Sequence, residues 1–166
     1  MKKNWVLSAS MLLLWTVVFS GSCKSDKPTP TPTPGFTFAK GADVGWLTEM
    51  EAAGRKFYNA SGTEQECIAL LKSLGMNSIR LRVWVNPSGG WNNAADVLAK
   101  ATRAKNAGMR IMIDFHYSDT WADPGQQAIP AAWAAQSLAE LQTSVYNHTF
   151  SVLTSLKSNG IIPEWV

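Results

Sequence analysis

Hydrophobic and polar positions along this chain change period in blocks. Residues 77–85 read Asn-Ser-Ile-Arg-Leu-Arg-Val-Trp-Val, which puts Ile79, Leu81, Val83 and Val85 on one side of an extended chain and Arg80, Arg82 and Trp84 on the other. Residues 110–117 start as the apolar run Ile111-Met112-Ile113 and break into Asp114, His116 and Tyr117. That break predicts a strand whose far end delivers polar groups, with Asp114 and His116 sharing one face. Residues 36–44 predict an earlier strand ending at Asp43, and residues 161–166 predict the start of a fourth.

Between these stretches the period lengthens to that of a helix. Thr63 and Glu66 have capping-box spacing ahead of an inward stripe of Ile68, Leu71 and Leu74. Asn93 caps a second helix, with Asp96 in its first turn and Val97, Leu98, Ala101 and Ala104 on its apolar side. Ser137 and Glu140 frame a third, which carries Leu141, Val145, Val152 and Leu156. Residues 45–62 predict a loop, and residues 118–136 predict a long one holding Trp121 and Trp133. Gly75, Gly108 and Gly160 recur at one kind of junction, a helix closed by glycine and feeding straight into a strand.

Strand and helix in alternation, with tight helix-to-strand turns, imply an α/β fold with a parallel sheet covered by helices. The loops after each strand are long and polar, and in such folds sites are built at that end of the sheet. Arg80 and Arg82 leave two readings open: a strand exposed on one side, or one buried on both, whose inward arginines need carboxylate partners or an anionic ligand. Gly41-Ala42-Asp43-Val44-Gly45-Trp46 is not the glycine-rich phosphate turn of an open doubly wound sheet. A parallel strand stopping at residue 166 with no helix to cover it would leave a raw edge. The expectation from the residues is therefore the N-terminal half of a longer α/β protein, an open doubly wound domain or part of an eight-stranded barrel.

Composition changes this picture at the front of the chain. Lys2 and Lys3, an apolar segment over residues 5–19 and Ser20-Gly21-Ser22 make residues 1–22 a signal peptide. Cys23 follows directly and resembles the lipid-attachment site of bacterial lipoproteins, so the chain is expected to be exported, either secreted or held to the cell envelope through a lipid at Cys23. Residues 23–35, with Thr-Pro repeated over 29–34, are a stiff linker, and residues 36–166 are the domain. From Cys23 onward, 13 Lys and Arg stand against 12 Asp and Glu, a net of +1, which implies no basic face for nucleic acid. With Cys23 acylated, Cys67 has no partner for a disulfide. Eight tryptophans suit either core packing or stacking on sugar rings. Asp114, His116 and Asp119 could ligate a metal, but no second histidine-bearing strand end accompanies them, and the expectation is no metal and no cofactor.

Several segments carry a resemblance: Lys40-Gly41-Ala42-Asp43, Ile79-Arg80-Leu81-Arg82-Val83-Trp84-Val85-Asn86-Pro87, Arg103-Ala104-Lys105, Pro130-Ala131-Ala132-Trp133 and Pro163-Glu164-Trp165-Val166. The most specific is the unbroken run Asp114-Phe115-His116-Tyr117-Ser118-Asp119-Thr120-Trp121-Ala122-Asp123-Pro124. Together they resemble glycoside hydrolase family 53, the endo-β-1,4-galactanases. The resemblance implies the N-terminal half of a (β/α)8 TIM barrel, about three and a half βα units truncated in the fourth strand, of an enzyme that cleaves internal β-1,4-galactosidic bonds of galactan and arabinogalactan with retention, by two carboxyl groups about 5 Å apart. It places both catalytic Glu beyond Val166, so no residue here is expected to be catalytic, Glu164 included. Arg80 would pair with the nucleophile, Asp114 and His116 would line the central subsite, and Trp121 would offer a stacking face. Asp43, Asp119, Asp123 and Trp84 would flank the cleft. The plainer readings are an ion pair for Arg82, turn caps for Asp119 and Asp123, and a loop anchor for Trp133. A different function from the same residues is a non-catalytic surface glycan-binding lipoprotein.

Overall fold

The strand at Ser78–Val83 is the middle of the sheet, and the rest is laid against it. The computed structural model describes residues 38–166. The expected signal peptide at 1–22, the lipidation at Cys23, the linker at 23–35 and residues 36–37 of the domain lie outside the described residues. In order come β1 (Gly41–Asp43), α1 (Leu47–Ala52), α2 (Cys67–Ser73), β2 (Ser78–Val83), α3 (Ala94–Asn106), β3 (Arg110–Phe115) and α4 (Leu138–Ser158). Short 3-10 turns sit at Ser88–Gly90 and Ala131–Trp133. The sheet runs β1-β2-β3 with both pairings parallel.

Alternation then sorts the side chains. Ile79 pairs in register with Ile111, Leu81 with Ile113 and Val83 with Phe115. These side chains form the helix-covered face, where Cys67, Ile68, Val97, Ala101, Ala104, Val152 and Leu156 meet them in one core. The opposite face carries Asp43, Arg80, Arg82, Trp84, Asp114 and His116. Arg82 and Trp84 are buried, so β2 is covered on both sides and its inward arginines have partners, the second of the two readings of this strand.

Caps explain two of the helices well. The Asn93 side chain accepts from the Asp96 amide, and Ser137 and Glu140 form a reciprocal capping box. At α2 the structure differs from expectation. Glu66 is itself the cap, accepting from the Ala69 amide at 2.6 Å, and the helix begins at Cys67. The Thr63 amide donates instead to Asn59 Oδ1 at 3.0 Å, because residues 58–64 close an antiparallel bridge of their own. Leu74 does not join the inward stripe; as the last residue of the turn it is 69% exposed.

The loop expected over residues 45–62 contains α1, a six-residue helix with one buried residue, Leu47, and no side-chain cap. Its position is fixed from a distance: Arg103 on α3 clamps Glu51 through two bonds of 2.8 and 2.7 Å and also reaches Glu66, joining three helices through one guanidinium. The fourth strand is present as a single parallel bridge, Met112 with Trp165, where the Ile113 amide donates to Trp165 O at 3.0 Å.

His148, on α4, packs edge-on against the rings of Phe115, Tyr117 and Trp133, and its Nε2 is buried without a partner among the described residues. Burial holds its imidazole below the ordinary value of 6.5. The unfolded chain thus binds a proton that the folded chain refuses. This contribution is complete above about pH 6.5 and is lost as the pH falls below it. His148→Phe should flatten stability against pH across that range, checked by urea unfolding at pH 7.5 and 5.5. In the core, Leu81→Ala should cost about 2–5 kcal/mol. Leu74→Ala should stay within about 0.5 kcal/mol in the same assay, since Leu74 lies outside the packed stripe.

Candidate functional site

At the C-terminal ends of the three strands the inward face carries a row of charged side chains. Parallel register sets Asp43 beside Arg80 and Arg82 beside Asp114. Arg80 Nη1 donates to Asp43 Oδ2 at 2.6 Å, and Nη2 donates to Asp114 Oδ2. His116, two residues past Asp114, brings Nε2 to the same oxygen at 2.8 Å. On its other side, Trp84 Nε1 donates to His116 Nδ1 at 3.3 Å. An indole only donates, so Nδ1 is the bare nitrogen and Nε2 carries the proton given to Asp114. The result is a continuous row, Asp43, Arg80, Asp114, His116 and Trp84, with each donor matched to an acceptor.

Arg82 is held differently. It is 3% exposed, its Nη1 lies 3.7 Å from Asp43 Oδ2, and its guanidinium carbon sits over three indole rings. The distances to the ring centres are 4.0 Å for Trp121, 5.0 Å for Trp46 and 5.7 Å for Trp84. Burial pulls the group below its usual range, and the Asp43 carboxylate opposes that. The plain ion-pair reading of Arg82 thus describes a minor part of its setting; ring faces supply most of it. Trp121 has one face against this cation and is 37% exposed, so any sugar it stacks must use the other face.

Two hollows flank the row. One, of about 500 Å³, opens beside Asp43, Trp46, Arg80, Arg82 and Trp121. The other, of about 470 Å³, lies beside His116, Tyr117, Asp123, Pro130 and Trp133 under the long loop. Tyr117 turns the chain out of β3 with φ 44°, a left-handed conformation uncommon for a tyrosine. Its hydroxyl is hydrogen-bonded to Thr149 Oγ1 at 2.8 Å.

The remaining sequence candidates act on loops. Asp119 Oδ1 accepts from the Asn86 amide at 2.8 Å and Oδ2 from the Ala131 amide at 2.9 Å, bracing the loop after β2 against the loop after β3. Asp123 Oδ1 accepts from the Gly125 amide at 2.7 Å in a tight turn. Trp133 is buried under the long loop, beside His148. Glu164 pairs with Arg110, at the opposite end of β3 from the row, and that bond keeps its carboxyl below the usual range.

Sequence reasoning passed over three residues here. Trp46 is 48% exposed on the rim of the first hollow, yet it gave no signal inside an apparent loop. Gly45 lies so close to Arg82 that a Cβ there would fall 2.5 Å from Nη2, and nothing local in the sequence announces such an approach. Lys100 is fully buried, where helical periodicity put only a polar residue between apolar ones.

The model of the family described as glycosyl hydrolase family 53 matches residues 39–166. A probable arabinogalactan endo-beta-1,4-galactanase A of Aspergillus fumigatus is 43% identical over 122 residues, covering 74% of this chain and 34% of its own length. Among solved structures, a fungal beta-1,4-galactanase superposes with a TM-score of 0.73 at 41% identity, covering 77% of this chain and 38% of that one. The family 53 catalytic domain of Ignisphaera aggregans gives 0.72 at 37% identity, covering 80% and 40%. The chain spans about a third of the length of the curated relatives, 34% and 35% for two of them. Its parallel strands and covering helices are the N-terminal part of a (β/α)8 barrel. From the matched residues and the shared fold, the chain belongs to glycosyl hydrolase family 53.

Proposed function

We propose that this chain forms the substrate-orienting wall of a retaining endo-β-1,4-galactanase acting on galactan or arabinogalactan. The observation that carries the reading is the matched row from Asp43 to Trp84 at the C-terminal ends of three parallel strands, with a hollow on either side of it. A hollow on either side of a central polar row suits a ligand that extends past the row in both directions. Relatives carry endo-galactanase names, which supports the choice of galactan over other glycans.

Retaining hydrolysis needs a nucleophile and an acid/base. The resemblance implies that both hydrolytic carboxyl groups lie past residue 166; within the row Asp43 and Asp114 are paired with Arg80, and Glu164 is paired with Arg110. What the row supplies is orientation. By the resemblance Arg80 would pair with the nucleophile; its guanidinium is fixed in place by Asp43 and Asp114, and His116, with both ring nitrogens engaged, ties Asp114 to Trp84. Export, with a lipid anchor at Cys23, would put this wall where extracellular polysaccharide is met.

Two experiments test the reading. The coding sequence past residue 166 should contain an Asn-Glu pair within a few residues and a second Glu at a later strand end. If neither is there and galactan is bound without cleavage, the glycan-binding lipoprotein reading replaces this one. In the polypeptide that includes those residues, Arg80→Ala should reduce release of galacto-oligosaccharides from galactan by about a hundredfold, the order seen when an oriented electrostatic contact is removed. Near-normal rates by reducing-end assay would remove Arg80 from the role given to it.

A further inference from the structure

Lys100 is the one fully buried lysine among the described residues, and the functional reading above makes no use of it. It stands on α3 with its ammonium directed at three acceptors: Gly45 O at 2.7 Å, Asn92 Oδ1 at 3.0 Å and Asp96 Oδ2 at 2.6 Å. Three N–H donors meet three acceptors, and one acceptor is a carboxylate one helical turn away, which is what a charge so deeply placed requires. Burial draws the ammonium below the usual lysine range, and the Asp96 bond opposes it.

The partners matter more than their number. Gly45 belongs to the turn after β1, and its amide donates to Asp43 Oδ1 at 2.9 Å. Asn92 belongs to the loop after β2. It sits at φ 64°, its amide donates to Asp96 Oδ2 at 2.6 Å, and its carbonyl accepts from the Trp84 amide at 2.9 Å. From Asp43 the row continues through Arg80, Asp114 and His116 to Trp84, and from Trp84 it returns through Asn92 to Lys100. The hydrogen bonds therefore close into a ring, and Lys100 is its single point of closure behind the row.

We propose that Lys100 is a positioning residue that fixes both ends of the polar row at once, Asp43 through Gly45 and the Trp84–His116 pair through Asn92. The inference rests on reading that row as the substrate-orienting wall. A tetrahedral ammonium on a rigid helix can serve three acceptors at diverging angles, where the planar fork of an arginine cannot. Without it, the Gly45 carbonyl and the Asn92 amide oxygen lose their donors in a buried setting, and the two loops are free to move apart. His116 then loses the indole that keeps its Nδ1 bare.

The test compares three variants of the full chain: Lys100→Met, Asn92→Gly and Val97→Ala. Asn92→Gly removes the side-chain acceptor, along with an amide nitrogen that has no partner among the described residues, and keeps a residue suited to positive φ. Val97→Ala lowers stability from the same helix without touching the ring. The readouts are the imidazole nitrogen spectrum of His116, the indole N–H resonance of Trp84 and the affinity for β-1,4-galactotetraose by calorimetry.

Lys100→Met should shift the Trp84 resonance, mix the His116 tautomers and weaken galactotetraose binding by about tenfold. Asn92→Gly should move the same two resonances to a smaller extent. Val97→Ala should leave them in place despite its loss of stability. Unchanged Trp84 and His116 signals in Lys100→Met would overturn the proposal, as would the same changes in Val97→Ala. If Lys100→Met does not fold, Asn92→Gly decides in its place by the same signals. If the unaltered chain binds no galactotetraose, the galactan reading fails, and the two spectroscopic signals still decide the role of Lys100.

Discussion

Two guanidinium groups on the inward face of β2 set the terms for everything around them. Arg80 and Arg82 are two residues apart, so the pleat sends both to the same side, Arg82 buried and Arg80 partly exposed between its neighbours. Charges there must be matched. Parallel pairing brings Asp43 to one flank and Asp114 to the other, and a slip of one residue in either neighbour would carry the carboxylate to the helix-covered face, among Ile79, Leu81 and Ile113. The charges thus specify the register that the apolar residues alone would specify less sharply.

The second arginine shows how a fold answers a buried cation without enough carboxylates. Arg82 is surrounded by ring faces from three different loops, so the residue that needs shielding also gathers Trp46, Trp84 and Trp121 into one rim. The far end of the sheet is organised for a different purpose. There Arg110 is held by Glu164 and lies over Trp165 at 4.4 Å, and the Asn77 side chain ties Lys40 to the start of β2. Exposed pairs close that end of the sheet, and the buried polar groups Arg82, Asn92 and Lys100 are gathered at the other.

Much of this was legible in order. β2 and β3 announced themselves through alternation and an apolar run, and α3 and α4 through caps whose spacing is local. The site row was legible as residue types at strand ends, and the long run from Asp114 to Pro124 carried the family. What escaped was non-local. α1 is too short for periodicity to register and is held by Arg103 from another helix. Glu66 resembled the third residue of a capping box but is the cap, because the preceding residues had formed a bridge of their own. Lys100 gave no signal, because the acceptors that receive it lie on two loops, one of them 55 residues away. The same distance hid the loop-bracing work of Asp119, which joins the backbone at Asn86 to that at Ala131.

Gly45 shows what this arrangement means for redesign. Its amide is held by Asp43, its carbonyl by Lys100, and a Cβ on it would lie 2.5 Å from Arg82 Nη2, so any side chain there must displace the buried guanidinium. A library that varied this loop evenly would disturb Arg82 and its three indole contacts at that position before it changed the rim. The neighbouring Trp46 is the more permissive handle, since its ring is half exposed on the rim of the larger hollow. Surface open to redesign therefore begins at Trp46, immediately after a residue whose replacement must first move Arg82.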